Sequence, residues 1–382
     1  MRRSVRILGT HGVPGNYGGF ETAAENVALH LVDRGWDVVV YCQTDEGDGI
    51  TEDQWRGITR VNIPWPDRSW KGTSRFDLIS IRHAARHDDL CLTFGYNTAV
   101  FNIWQRIKGI PNVINMDGIE WSRSRWGKAK QAILWINERI ACYVGNQLIA
   151  DHPQIATYLR TRARADKITT ITYGAATVLD ADPAIPQELG LTPGEYLTLI
   201  ARPIPENSIL ELVEGFSRRD RKVDLAVLGS YDRSDPYHAA VLDAAGPRVR
   251  FLGPVYEPER VQALRFHSRG YLHGHTVGGT NPSLVEALGC ANPVLAHDNV
   301  YNRWVAQDAA LYFRTTDDVD AALRTLLDSP TRAGELSRNA RARHAEEFTW
   351  EHVAGQYESL LEQFLPHVGS RRRFRRGEAW SE

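Results

Sequence analysis

The most constraining feature of this 382-residue sequence is an alternation of apolar runs, glycine turns and helical patterns, which stops at a proline-bearing break and then starts again. Val5–Leu8 is a short apolar run, and a glycine-rich loop follows it, Gly9-Thr10-His11-Gly12-Val13-Pro14-Gly15-Asn16-Tyr17-Gly18-Gly19. Phe20, Ala24, Val27, Ala28 and Leu31 then recur at helical spacing, and Gly35 closes that helix. Asp37–Cys42 reads as a buried strand. Such a βαβ opening predicts a parallel sheet with helices on both faces. Further strands are predicted at Leu90–Phe94, Asn112–Asn115, Gln147–Ala150 and Ile168–Tyr173, with Gln131–Val144 the clearest helix between them.

Gly174 to Gly194 carries Asp182-Pro183, Pro186 and Pro193 and reads as a linker. The second series has strands at Tyr196–Ala201, Leu225–Gly229, Val249–Leu252, Arg269–His273 and Pro293–Ala296, with helices at Ile209–Phe216 and Leu284–Leu288. From Thr331 the pattern is helical, and Trp350, Val353, Tyr357, Leu360, Leu361 and Phe364 form one apolar face of the last helix. The length suits two domains. The expected division is an N-terminal acceptor domain over 1–178, a linker over 179–194 and a C-terminal donor domain over 195–347. A returning helix over 348–366 and a basic tail over 367–382 complete it.

Composition excludes several classes. A formal net charge of -2 argues against a chain built to grip nucleic acid. No apolar run reaches the ~20 residues that span a bilayer, and the N-terminus lacks the apolar core of a signal peptide. Cys42, Cys91, Cys142 and Cys290 are scattered and form no CxxC pair, which points to reduced thiols in a cytoplasmic protein. His273 and His275 are spaced for one face of a strand, but no third ligand lies nearby in sequence, so no metal centre is expected.

Three segments carry chemistry. Gly18 and Gly19 precede a helix, where backbone N–H groups could meet a phosphate or simply serve a turn. The glycine spacing matches neither GxGxxG nor GxxxxGK[ST]. Arg202 leaves a strand C-terminus in Arg202-Pro203-Ile204-Pro205-Glu206-Asn207, a place suited either to binding a diphosphate or to an ordinary surface arginine. The most specific segment is Gly278-Gly279-Thr280-Asn281-Pro282-Ser283-Leu284-Val285-Glu286-Ala287-Leu288-Gly289-Cys290-Ala291-Asn292-Pro293-Val294. Its amides near Asn281–Leu284 could cap an anion, and Glu286 could accept from two ribose hydroxyls or complement the helix dipole.

Together these segments resemble the metal-independent, retaining glycosyltransferases of family 4, which have the GT-B fold. The likeness covers nearly the whole chain. Residues 278–294 are similar to that family's EA(M/L)xxGxPV segment, Val249–Val255 to its VxFLGxV segment, and Phe348-Thr349-Trp350-Glu351 to its C-terminal F(S/T)W motif. The strings Gly9–Pro14 with Tyr17–Thr22, Asn115–Trp121 and His273–Ser283 more narrowly resemble bacterial rhamnosyltransferases of surface polysaccharide synthesis.

The resemblance implies an α/β GT-B fold, two Rossmann-like domains facing across a cleft, and retention of anomeric configuration. It implies a nucleotide-sugar donor, dTDP-rhamnose, with no metal or other cofactor. The donor site it marks comprises Gly18, Gly19, Arg202, Asn207, Val255, Gly278, Gly279, Thr280, Asn281, Pro282, Ser283 and Glu286. Two positions depart from the family: Gly278 stands where a glutamate is usual, and Asn207 where a lysine is usual. A 6-deoxy sugar presents different hydroxyls to the first of these, so the change is consistent with that donor.

On the acceptor side, Asp117, Glu120 and Asp151 follow predicted strands and could orient or deprotonate a hydroxyl, or serve as loop and helix caps. Asp117, in its DGIEW context, is the preferred base. Tyr17, Trp121, Arg123 and Arg125, beside Trp126, could contact acceptor sugars or a lipid diphosphate, or form a packed surface loop. The expected acceptor is a glycan or a lipid-diphosphate-linked precursor. The basic cluster Arg371-Arg372-Arg373-Phe374-Arg375-Arg376 reads as a solvated tail or a contact with an anionic membrane surface at the inner face. Three other readings compete: a dinucleotide oxidoreductase, a transferase using a UDP- or GDP-sugar, and a degenerate nucleotide-sugar-binding protein without activity.

Overall fold

The structure, a computed structural model, describes residues 3–15, 18–123 and 126–365. The chain forms two compact α/β units, Met1–Thr172 with Glu351–Glu382, and Tyr173–Trp350. Tyr17, Arg125 and the arginine-rich tail lie outside the described residues.

The first unit is built on β1 (Ser4–Leu8), β2 (Asp37–Thr44), β3 (Thr51–Trp55), β4 (Ile58–Pro64), β5 (Leu90–Phe94), β6 (Asn112–Asn115), β7 (Gln147–Ala150) and β8 (Ile168–Thr170). Their spatial order is β3-β4-β2-β1-β5-β6-β7-β8. Every pairing is parallel except β3 with β4. That hairpin turns on Arg56 and Gly57, both at positive φ, the pattern of a tight two-residue turn.

The helices are α1 (Gly19–Asp33), α2 (Trp70–Ala84), α3 (Ile103–Lys108), α4 (Lys128–Val144) and α5 (Pro153–Leu159). The step from β1 to β2 runs one way along the sheet, and the steps from β4 through β8 run the other way. Right-handed crossovers therefore place α1 on one face and α2 to α5 on the other.

The second unit contains α6 (Ala184–Glu188), β9 (Tyr196–Ile200), α7 (Ile209–Ser217), β10 (Asp224–Leu228), α8 (Pro236–Asp243), β11 (Val249–Gly253) and α9 (Pro258–Phe266). It continues with β12 (Tyr271–His273), α10 (Pro282–Gly289), β13 (Val294–His297), α11 (Val300–Ala306), β14 (Ala310–Phe313), α12 (Thr316–Asp328) and α13 (Pro330–Glu347). The stretch read as a linker carries α6 and clusters with this unit. All strands are parallel, in the order β11-β10-β9-β12-β13-β14.

The core of this unit is mostly aliphatic: Leu199 and Val227 of the sheet pack with Leu212 of α7 and Leu323 of α12, and Phe216 of α7 joins them. Burying each such side chain stabilises the fold by about 1.5–3 kcal/mol, which makes the sheet a firm platform for its loops. The last helix, α14 (Trp350–Glu362), places Tyr357 and Glu358 in the first unit. There the Asn115 amide donates to the Tyr357 hydroxyl at 2.7 Å, and Trp36 Nε1 donates to Glu358 at 3.1 Å.

In each sheet the winding direction reverses at one place, between β1 and β5 in the first unit and between β9 and β12 in the second. At such a reversal the loops leaving the two strands diverge to opposite faces and leave a crevice at the strand C-termini. Open parallel sheets bind ligands there.

Candidate functional site

The reversal in the second unit brings together two of the segments singled out in the sequence. The loop after β9 carries Arg202 and Asn207, and the loop after β12 runs from Gly274 to Asn281. Arg202 is exposed, while Asn207 is buried. The Asn207 amide donates to the Arg202 carbonyl at 2.8 Å, so it braces the arginine-bearing turn. Gly274 packs against that turn so closely that a Cβ on it would stand 2.0 Å from the Asn207 carbonyl oxygen. Thr276 adds two bonds, from N–H and Oγ1, to the Glu206 carbonyl, each 2.9 Å. The two loops are thus fixed to one another.

Gly278 has φ 132, and a Cβ there would meet nothing within 4 Å. The position where the family resemblance places a glutamate is open space beside the loop. Thr280 is buried, Asn281 is the N-cap of α10, and Pro282 is its first residue. The Asn281 side chain accepts from the Ser283 N–H at 3.0 Å, and its carbonyl accepts from Leu284 N–H at 3.1 Å. The first-turn amides expected to cap an anion are therefore engaged within the helix cap.

Glu286 is held by a residue with no sequence signal. Arg265, buried at the end of α9, forms a 2.7 Å ion pair with Glu286 and donates to Ser283 Oγ at 2.9 Å. The Tyr271 hydroxyl also donates to Ser283 Oγ, at 2.8 Å, and burial pushes its pKa up to about 12. Ser283 is consequently a node of the scaffold, and Glu286 projects from it with 37% of its side chain exposed. A carboxylate fixed on one side and open on the other is suited to accept hydrogen bonds from a diol.

Unsatisfied polar atoms collect at the same edge. Glu211 Oε2, Tyr231 OH and Arg265 Nε are buried and have no hydrogen-bond partner among the described residues. Buried polar atoms are normally paired, so these three are open to a further polar partner. His273 stacks on His275 with ring centroids 4.4 Å apart and planes 11° from parallel. Burial, reinforced by the neighbouring His275, holds the His273 pKa well below the usual imidazole value. Asn299 and Asn302 each donate to the His275 carbonyl at 2.9 Å, and Asn302 also to that of His297, which ties the ends of β12 and β13. Val255, beyond β11, packs on the Tyr196–Leu228 cluster.

In the first unit, Gly18 caps α1 and Gly19 opens it. The preceding loop is braced by that helix's own acids: the His11 N–H donates to Glu21 at 3.1 Å and the Gly15 N–H to Glu25 at 2.6 Å. Carboxylates, rather than open amides, fill part of the place proposed for a phosphate.

Asp117 follows β6 at φ 54, its N–H donating to Asn115 Oδ1 at 3.0 Å. Glu120 is buried and ion-paired to Arg123 at 2.7 Å, and its N–H donates to Tyr96 OH at 2.8 Å. Trp121 is fastened through Nε1 to buried Glu138 at 2.9 Å, which Tyr158 also contacts. Each side chain is thus held by packed partners, Glu120 by Arg123 and Trp121 by Glu138. Asp151 follows β7, immediately before the buried N-cap His152.

One carboxyl at this edge was not visible in the sequence. Asp77, buried in α2, accepts from Thr98 Oγ1 at 2.8 Å, and burial raises its pKa to about 6. Its amphipathic-helix context gives no hint of this, because the burial comes entirely from tertiary packing.

A family model described as "Domain of unknown function (DUF1972)" matches residues 2–176, and one described as "Glycosyl transferase-like" matches residues 209–359. The chain is 38% identical over 428 residues to the D-inositol 3-phosphate glycosyltransferase of Rhodococcus erythropolis, covering 95% of this chain and 91% of the relative. The chain belongs to that glycosyltransferase family. Among solved structures, sucrose-phosphate synthase from Thermosynechococcus elongatus matches with TM-score 0.79 at 17% identity, covering 96% of this chain and 100% of the other. Anabaena Alr3699/HepE in complex with UDP-glucose matches with TM-score 0.73 at 15% identity, covering 95% and 100%. The two α/β units have the GT-B architecture expected from the sequence.

Proposed function

We propose that this glycosyltransferase takes its sugar from a nucleotide-sugar held by the second unit, and that the donor is dTDP-rhamnose. The observation that carries the donor site is the edge between β9 and β12, where the loop bearing Arg202 is fixed to the loop that leads to α10 and its braced but open Glu286. Glu286 accepts the ribose hydroxyls. Arg202 stabilises the charge that develops on the diphosphate as the glycosidic bond breaks, a contribution worth ~10²–10³ in rate for one well-placed donor. The open position at Gly278 supports a sugar that makes no demand for a carboxylate there. The narrower resemblance of the N-terminal strings supports rhamnose.

The acceptor hydroxyl belongs to a glycan or lipid-diphosphate-linked precursor of a surface polysaccharide and is received by the first unit. Asp117, at its strained backbone position after β6, is the base we assign.

A second reading has its own observation. The relative from Rhodococcus is named as an inositol phosphate glycosyltransferase, which favours a sugar-phosphate-type acceptor, and the Anabaena neighbour is recorded with UDP-glucose. Release of nucleoside diphosphate from dTDP-rhamnose and from UDP-glucose, each with and without inositol phosphate, separates the two. Turnover of dTDP-rhamnose alone supports the first reading. Turnover only with UDP-glucose and inositol phosphate overturns it.

A further inference from the structure

The helical face formed by α2, α3 and α4 in the first unit plays no part in the sites above, yet it has an unusual surface. Among the described residues, nine of the chain's fourteen exposed large hydrophobic side chains fall between Trp70 and Tyr143. Ile103, Trp104 and Ile107 stand out from α3, and Ile133, Trp135 and Ile136 from α4. Ile107 is 71% exposed and Tyr143 is 73% exposed. Single exposed hydrophobics need no explanation, but a concentration of this kind marks an interaction surface.

The charge on these helices is equally one-sided. They carry eight lysines and arginines, three on α2, two on α3 and three on α4. Their two acids, Asp77 and Glu138, are both buried. Cations and aromatics interleave: Arg82 lies over Trp104 at 6.0 Å, Lys130 over Trp70 at 5.7 Å and Arg139 over Trp135 at 4.5 Å. The first two of these pairs join α2 to α3 and to α4, so the three helices present one continuous face.

We infer that this face docks on an anionic lipid bilayer. Aromatic and aliphatic side chains enter the interfacial layer, and the lysines and arginines meet lipid phosphates, the composition expected of a peripheral membrane surface. No helix among the described residues is long and apolar enough to cross a membrane, so the contact is interfacial. A second copy of the chain is disfavoured as occupant, because a two-fold interface would set this cationic face against itself. The inference stands apart from the donor assignment and from the arginine-rich tail.

The test is co-sedimentation of the full chain with vesicles of phosphatidylcholine alone and with 30% phosphatidylglycerol added. Three variants accompany it: W104S/I107S/I136S, K71Q/R106Q/R139Q, and a chain ending at residue 365. We expect binding to the anionic vesicles only. Each helix variant should lose it by on the order of 10–100-fold, with thermal melting unchanged, since the altered side chains are exposed. The shortened chain should retain most of it.

Binding that survives both helix variants, or that vanishes with the tail alone, overturns the inference. So does failure of the parent chain to bind, or an apolar variant that instead dissolves a dimer in lipid-free sedimentation. Melting shifts with nucleotide-sugars on the same variants keep this result distinct from any failure of the donor assignment.

Discussion

The Arg265 guanidinium and the Glu286 carboxylate meet at 2.7 Å, the arginine buried and the glutamate open to water on its far side. In the proposed donor site this relationship presets Glu286 as a hydrogen-bond acceptor. On that proposal Arg265 is a positioning residue, acting on the donor through Glu286.

Removing either end has unequal consequences. Breaking a fully buried ion pair costs ~3–5 kcal/mol, because a charge is left uncompensated. Glu286→Ala leaves Arg265 buried but near solvent, so we expect about 1–2 kcal/mol in urea unfolding and at least tenfold weaker donor binding. Arg265→Met should weaken donor binding mainly through a higher KM, with Arg265→Lys restoring part of it. A role confined to stability would leave KM unmoved.

Arg202 separates function from stability most cleanly. Its side chain is exposed, so Arg202→Ala should still fold and melt cooperatively. Its transfer rate should fall by ~10²–10³.

Gly278 tests the backbone. A methyl group would meet nothing within 4 Å there, so any cost of Gly278→Ala arises from φ 132 alone. We expect about 1–2 kcal/mol in denaturant unfolding. No loss would mean that the loop relaxes freely.

Asp77 gives a pH signature. Burial raises its folded-state pKa to about 6 from an unfolded value of 3.8. The protonated form is favoured by folding, so this stabilising contribution is complete below the unfolded pKa and is lost as pH rises through about 6. Asp77→Asn removes the charge and should raise stability at pH 8 by on the order of 1–2 kcal/mol, with little gain at pH 4. The buried, neutral His273 acts in the opposite sense, favouring unfolding as pH falls below the usual imidazole value. Melting of both proteins from pH 4 to 8 isolates the Asp77 contribution as their difference.

Much of the fold was legible because parallel strands buried on both faces read as continuous apolar runs. Leu90–Phe94, Asn112–Asn115 and Gln147–Ala150 occur with the bounds their sequences indicate. The β3–β4 hairpin was not legible, since Thr51–Trp55 is a polar edge strand with no apolar face to reveal it. The helix in the proline-bearing stretch, α6, is a five-residue turn too short to show periodicity. At the site, the segments around Arg202 and Gly278 were visible as glycine and arginine patterns, and topology explains why they meet. Arg265 and Asp77 were invisible because a charged residue on a helix reads as solvated until the packing around it is known.

The most direct test of the donor assignment is thermal-shift binding with dTDP-rhamnose, UDP-glucose, UDP-N-acetylglucosamine, GDP-mannose and NAD. A ligand at 100 times its Kd raises native stability by about 2.7 kcal/mol. We predict a selective shift with dTDP-rhamnose that is lost in Arg202→Ala and in Glu286→Ala. A shift with another nucleotide-sugar would contradict the choice of donor, and silence with every nucleotide-sugar would contradict the donor site itself.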